Sequence, residues 1–232
     1  MKEVIATIKD MSKAFPTGPS QFWALKHINL QFVRGEFSGF VGPSGSGKTT
    51  LLNILGSLDG PTEGEVEVLG ANVHQLSQKA ASKLRSEHIG FIFQTYNLLP
   101  VYNVYENVEF PLLLLKMDSA KRDKMVKEAI AWVGLSDKIK SRPAQLSGGQ
   151  CQRVAIARAM VKKPELVLAD EPTANLDTEN SHHILDTMAR LNQELGTTFI
   201  FSTHDEKVIK YLKRVIRLVD GEVASDDLAS GI

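Results

Sequence analysis

The stretch Phe37-Ser38-Gly39-Phe40-Val41-Gly42-Pro43-Ser44-Gly45-Ser46-Gly47-Lys48-Thr49-Thr50-Leu51-Leu52-Asn53-Ile54-Leu55 decides the fold. It opens with a short, mainly apolar run of strand character and closes with a helical run, and between them Gly42 to Thr49 fits the spacing G-x-x-x-x-G-K-[ST]. The glycines let the backbone wrap a phosphate with its N–H groups, and the N-terminus of the following helix adds a favourable dipole. Lys48 brings a point charge to the β and γ phosphates of a nucleoside triphosphate, and Thr49 is the matching Mg²⁺ ligand. Gly42, Pro43, Ser44, Gly45, Ser46, Gly47, Lys48, Thr49 and Thr50 are therefore the first candidate binding residues.

Other apolar runs share the character of Phe37 to Val41. Ile89 to Phe93, Leu166 to Ala169 and Thr198 to Ser202 are short, lack polar alternation and alternate with helical stretches, as buried parallel strands of an α/β core do. Strand-like runs at Val4 to Asp10, Leu25 to Val33 and Glu65 to Leu69 predict a small antiparallel sheet in the first third of the chain. From Thr95 to Lys162 the periodicity is helical, with Met125, Ala129 and Val133 on one face. Ile184, Met188, Leu191 and Leu195 predict a further helix ended by Gly196, and Val215 to Val223 a hairpin turning at Asp220-Gly221.

Two acids end the run Leu166-Val167-Leu168-Ala169-Asp170-Glu171. A parallel sheet meets its ligand at the C-terminal edge, so Asp170 is placed to hold Mg²⁺ through its water shell and Glu171 to act as general base on an attacking water. His204 follows another such strand and is a candidate either for the γ phosphate or for orienting Glu171. Gln94, which follows Phe93, is the candidate amide sensing metal and water. Leu146-Ser147-Gly148-Gly149-Gln150 opens a helix with Ser147 as N-cap and a capping box to Gln150, its buried stripe being Val154, Ala157 and Val161. Two glycines in a first turn cost about 1 kcal/mol each in helix propensity, so a close approach to that backbone is expected.

Taken in order, these elements resemble the ATP-binding cassette ATPases over essentially the whole chain. The resemblance implies a P-loop NTPase (RecA-like) α/β fold with an N-terminal antiparallel β-subdomain and an inserted helical subdomain. Its expected division is residues 1–94 and 163–232 for the core and 95–162 for the helical signature lobe. It implies ATP and Mg²⁺ as cofactors, with catalysis by Glu171, His204, Lys48 and Gln94 and metal binding by Thr49, Gln94 and Asp170. It makes Ser147, Gly148, Gly149 and Gln150 the signature that contacts ATP held by a second copy of the chain, and Asp177 part of the loop crossing that interface. Phe15 occupies the place of the aromatic residue that stacks on adenine. Cys151 stands where relatives often carry a polar residue, which makes local oxidation a question.

The segment Ile89 to Pro100, with Glu106 to Leu112 after it, is similar to the lipoprotein-releasing and macrolide-exporter branch. That implies a homodimer through ATP, a multispanning membrane permease as partner and a place on the cytoplasmic face of the inner membrane. Leu98, Leu99, Tyr102 and Tyr105 are candidate partner contacts or ordinary core residues. Cassette ATPases that act away from membranes are the alternative. The versions with two cassettes or long coiled coils do not fit one motif set without sustained heptads, and a kinase or GTPase leaves Leu146 to Gln150 unexplained.

Composition narrows the rest. In 232 residues, 27 Lys plus Arg balance 27 Asp plus Glu, so no global basic field points to nucleic acid, and none is expected as a partner. One cysteine forms no internal disulfide and suits a reducing compartment. The apolar Leu112 to Leu115 is far shorter than the roughly 20 residues a membrane helix needs, and Met1 to Ile5 reads as a strand rather than a leader. The ending Ser230-Gly231-Ile232 is compatible with a whole subunit or with part of a fused transporter.

Overall fold

The apolar runs form one sheet. In the computed structural model, which describes residues 3–228, the first two strands are long: β1 (Val4–Thr17) and β2 (Ser20–Val33) precede β3 (Phe37–Val41), α1 (Lys48–Leu55), β4 (Glu63–Val68) and β5 (Ala71–Asn72). There follow α2 (Gln78–His88), β6 (Ile89–Ile92), α3 (Val104–Leu114), α4 (Ser119–Trp132) and α5 (Gly148–Met160). The chain then returns to β7 (Leu166–Asp170), α6 (Thr178–Leu195), β8 (Thr198–Thr203), α7 (Glu206–Ile209), β9 (Arg214–Val219) and β10 (Glu222–Leu228). Met1, Lys2 and the ending Ser230-Gly231-Ile232 lie outside the described residues.

The six-stranded sheet runs β10-β9-β3-β8-β7-β6, all pairs parallel except the β9–β10 hairpin. Both faces are covered, which explains the missing polar alternation. On one face Phe37, Val41, Phe199, Phe201, Val167 and Ala169 pack with residues of α3 to α6. On the other, Phe40, Ile200, Ile216, Leu166 and Leu168 pack with α1 and the inner face of the small sheet. Each of these fully covered phenylalanines contributes roughly 1.5–3 kcal/mol through burial, so the central strands are the anchored part of the molecule.

The antiparallel sheet is β2-β1-β4-β5. Its first hairpin is longer than the sequence reading, which stops the first strand at Asp10 and starts the second at Leu25. In the structure the pairing continues to Thr17↔Ser20 through bulges, and Gly18 takes φ 62° in the two-residue turn. The tip is exposed, so no burial pattern marked it. Helix α2 was also unread, because it has no fully buried residue. Between residues 95 and 162 helices α3 to α5 pack on one another with no strand among them. The buried residues of α4 are Val126, Ala129 and Ile130, with Val133 buried at its C-cap. Among the described residues no helix is long and apolar enough to cross a membrane.

Candidate active site

Four parallel strands bring their C-terminal ends to one edge of the sheet. β3 delivers the phosphate loop, β6 leads to Gln94, β7 ends in Asp170 and Glu171, and β8 leads to His204. They meet around a cavity of about 480 Å³ lined by Ser44, Gly45, Gly47, Lys48, Thr49, Thr50, Gln94, Asp170, Glu171, Ser202 and His204, with Phe15, Phe22 and Ala24 at the hairpin side.

The loop geometry demands its glycines. A Cβ on Gly42 would fall 2.2 Å from the carbonyl oxygen of Leu218 on β9, and Gly47 stands at φ 99° as the N-cap of α1. No side chain caps that helix, and Ser46 Oγ is buried without a partner. Open first-turn N–H groups and an orphaned hydroxyl suit a bound phosphate. Lys48 is only 7% exposed, and its ammonium donates to the carbonyls of Gly42 at 2.7 Å and Pro43 at 2.8 Å. Burial pushes its pKa down, opposed by the charges of Glu171 and Asp170.

Thr49 Oγ1 lies 3.2 Å from both carboxylate oxygens of Asp170, an all-oxygen pair suited to a hard cation. Glu171 is held in the left-handed region at φ 45°, a conformation uncommon for a non-glycine residue. Its N–H donates to Ser202 O, its Oε2 accepts from Thr203 Oγ1 at 3.2 Å, and its Oε1 lies 2.6 Å from His204 Nδ1. His204 is thus in direct contact with the Glu171 carboxylate. Gln94 is exposed into the same cavity, its carbonyl accepting from Asn175 Nδ2 at 3.0 Å.

The signature turn is not part of its own chain's cavity. Ser147 Oγ accepts from Gln150 N, and Gln150 Oε1 accepts from Ser147 N at 2.9 Å. Ser147 and Gly148 are exposed, and Gly149 is buried. The close approach expected at these glycines is partly internal: a Cβ on Gly149 would sit 2.6 Å from Asn180 Oδ1, and one on Gly148 3.0 Å from the Tyr96 hydroxyl. Asp177, also outside the cavity, is the N-cap of α6 and accepts from Asn180 N and Nδ2. Deeper in α5, Gln152 donates to Pro172 O at 2.8 Å, joining the signature helix to the residue after Glu171.

Cys151 is buried and its thiol is raised above the ordinary value by that burial, which lowers the thiolate fraction and makes it a poor oxidation target. Leu98 and Tyr105 pack against the helical core, Tyr105 donating to Asp123, and none of Leu98, Leu99, Tyr102 and Tyr105 lines the cavity bounded by Phe91, Phe93 and Phe110. Sequence reasoning missed Phe22 and Thr203. Phe22 pairs directly with Phe15 across the hairpin, a relation visible only once the turn at Gly18-Pro19 is recognised.

Comparison with known families decides the membership, since the ABC transporter profile matches residues 25–174. The chain belongs to the ABC transporter family. Among its relatives is the lipoprotein-releasing system ATP-binding protein LolD of Francisella tularensis, 43% identical across 96% of this chain and 97% of the relative. The macrolide export ATP-binding/permease protein MacB of Burkholderia lata is 41% identical across 97% of this chain, which covers 33% of that longer protein. A solved ATP-binding cassette, described as a dimer in a post-hydrolysis state bound to ADP and Pi, superposes with a TM-score of 0.90 at 40% identity, over 98% of this chain and all of the other. This ABC cassette is an ATP-binding and ATP-hydrolysing subunit with the α/β fold its motifs implied.

Proposed function

We propose that this cassette binds Mg²⁺-ATP between its own phosphate loop and the signature turn of a second copy, and that hydrolysis drives a multispanning membrane subunit of the lipoprotein-release or drug-export kind. ATP lies with its phosphates on Gly42 to Thr50 and its base towards Phe15. Lys48 meets the β and γ phosphates. Glu171 takes a proton from the attacking water, with His204 and Thr203 holding its carboxylate in place. Mg²⁺, held by Thr49, Asp170 and Gln94, supplies neutralisation of the phosphate charge. Ser147, Gly148, Gly149 and Gln150 of each copy complete the other's site, with Asp177 at the interface between them. The core of residues 1–94 and 163–232 closes and reopens with the lobe of residues 95–162, which relays the motion.

The observation that carries the membrane coupling is a second cavity of about 400 Å³ between the core and the helical lobe. Phe91, Phe93, Phe110, Pro111 and Leu114 give it an apolar wall, and Arg85, Arg158 and Lys162 lie on its polar side. Leu58 and Leu114, 48% and 61% exposed, both line it, so the wall is an exposed apolar patch rather than a single exposed leucine. A short amphipathic segment of the permease, reaching the cytoplasmic face of the inner membrane, fits this groove.

The test is a pull-down of tagged cassette from detergent-solubilised membranes of the host, beside the variant Leu114→Glu. A multispanning protein recovered with the native chain and lost with the variant supports the coupling. Recovery of only water-soluble partners by both proteins would replace it with a cassette ATPase that acts away from the membrane.

A further inference from the structure

Two consecutive residues just beyond Gln94 stand in the left-handed region, Tyr96 at φ 60° and Asn97 at φ 50°. Asparagine takes this region readily, but Tyr96 has no short polar side chain to support it, so its backbone persists only where its surroundings over-determine it. Three local bonds hold the turn: Tyr96 N donates to Phe93 O at 3.2 Å, Asn97 N to Thr95 O at 2.6 Å and Thr95 Oγ1 to Asn97 Oδ1 at 3.0 Å. The remaining hold comes from far along the chain. Arg158 Nη1 donates to Asn97 O at 2.5 Å, and Nη2 donates to Tyr96 O at 2.6 Å. The strained turn presents two adjacent carbonyls to one side chain, and a planar guanidinium matches them with two donors fixed in a fork, where an ammonium's three donors rotate about one nitrogen.

The position of this clamp matters. Arg158 sits on α5, the helix that begins with the signature turn, and both Arg158 and Asn97 line the groove between core and lobe. Three residues before Asn97, Gln94 lines the nucleotide cavity, its carbonyl tied to Asn175. Arg158 lines no part of that cavity and reaches it only through the loop. We infer that Arg158 is a positioning residue for Gln94: its fork holds residues 95–97 in the strained turn that keeps Gln94 in the nucleotide cavity. One guanidinium thereby belongs both to the groove and to the segment that ends in the active site.

Arg158→Lys keeps the cation and most of the stem but loses the fork. With the full chain and Mg²⁺-ATP, kcat is expected to fall about tenfold, as for a slightly misplaced catalytic group, while KM stays within about twofold. Amide hydrogen exchange at Tyr96 and Asn97 is expected to quicken while the amides of α5 keep their protection. Adding Asn97→Gly, which removes the conformational penalty at that position, should recover part of the lost kcat; mere support of the helix by Arg158 predicts no such recovery. Unchanged exchange at 96–97, or a loss of protection spread along α5, overturns the inference. A native chain that fails to hydrolyse ATP is a separate result, which removes the catalytic reading and leaves the exchange comparison standing.

Discussion

Glu171→Gln is expected to lower ATP hydrolysis by about 10²–10⁴-fold, the range for losing a general base, and to leave ATP binding intact. The amide keeps the size of the side chain and an oxygen to accept the Thr203 hydroxyl, so the strained backbone at φ 45° has no new reason to move. What disappears is the capacity to take a proton from water. With turnover blocked, an ATP-held pair of chains should accumulate and appear as a dimer by light scattering at saturating Mg²⁺-ATP. A variant that hydrolyses at the native rate removes Glu171 from the proposed role. One that is inactive yet monomeric sinks the two-chain site instead.

Lys48→Met should weaken ATP binding by roughly 10–100-fold, the size expected when a hydrogen bond to a charged group is lost. The native ammonium already donates to Gly42 O and Pro43 O, and a lysine has three donors, so one remains for phosphate. Equilibrium dialysis with ATP and with adenosine separates the two consequences of removing it. If the charge serves the phosphates, adenosine affinity is unchanged while ATP affinity drops. A parallel loss for both ligands would show that Lys48 chiefly keeps the loop in shape.

The parts of this molecule that could be read from its residues are those where a local demand leaves a local mark. Strands covered on both faces are mainly apolar and lack polar alternation, so Phe37 to Val41 and Leu166 to Ala169 stand out. A loop packed against Leu218 O accepts only glycine at position 42, so the phosphate loop stood out as well. Helix α2 left no mark because it buries nothing completely, and the tip of the first hairpin left none because it faces solvent. Contacts between distant residues are silent for a different reason. Arg158 on Tyr96 and Asn97, or Gln152 on Pro172, joins a side chain to a backbone carbonyl, and a carbonyl carries no residue identity for a pattern to detect.

The separation of the signature turn from its own chain's cavity has a genetic corollary under the proposed two-chain arrangement. A chain damaged at Lys48 and a chain damaged at Ser147 are each inactive when paired with themselves. Produced together, they complement: in the mixed pair one site inherits both lesions and the other inherits neither. Allelic complementation between positions 48 and 147, and its absence between two lesions in the same loop, would reveal the division of labour in living cells.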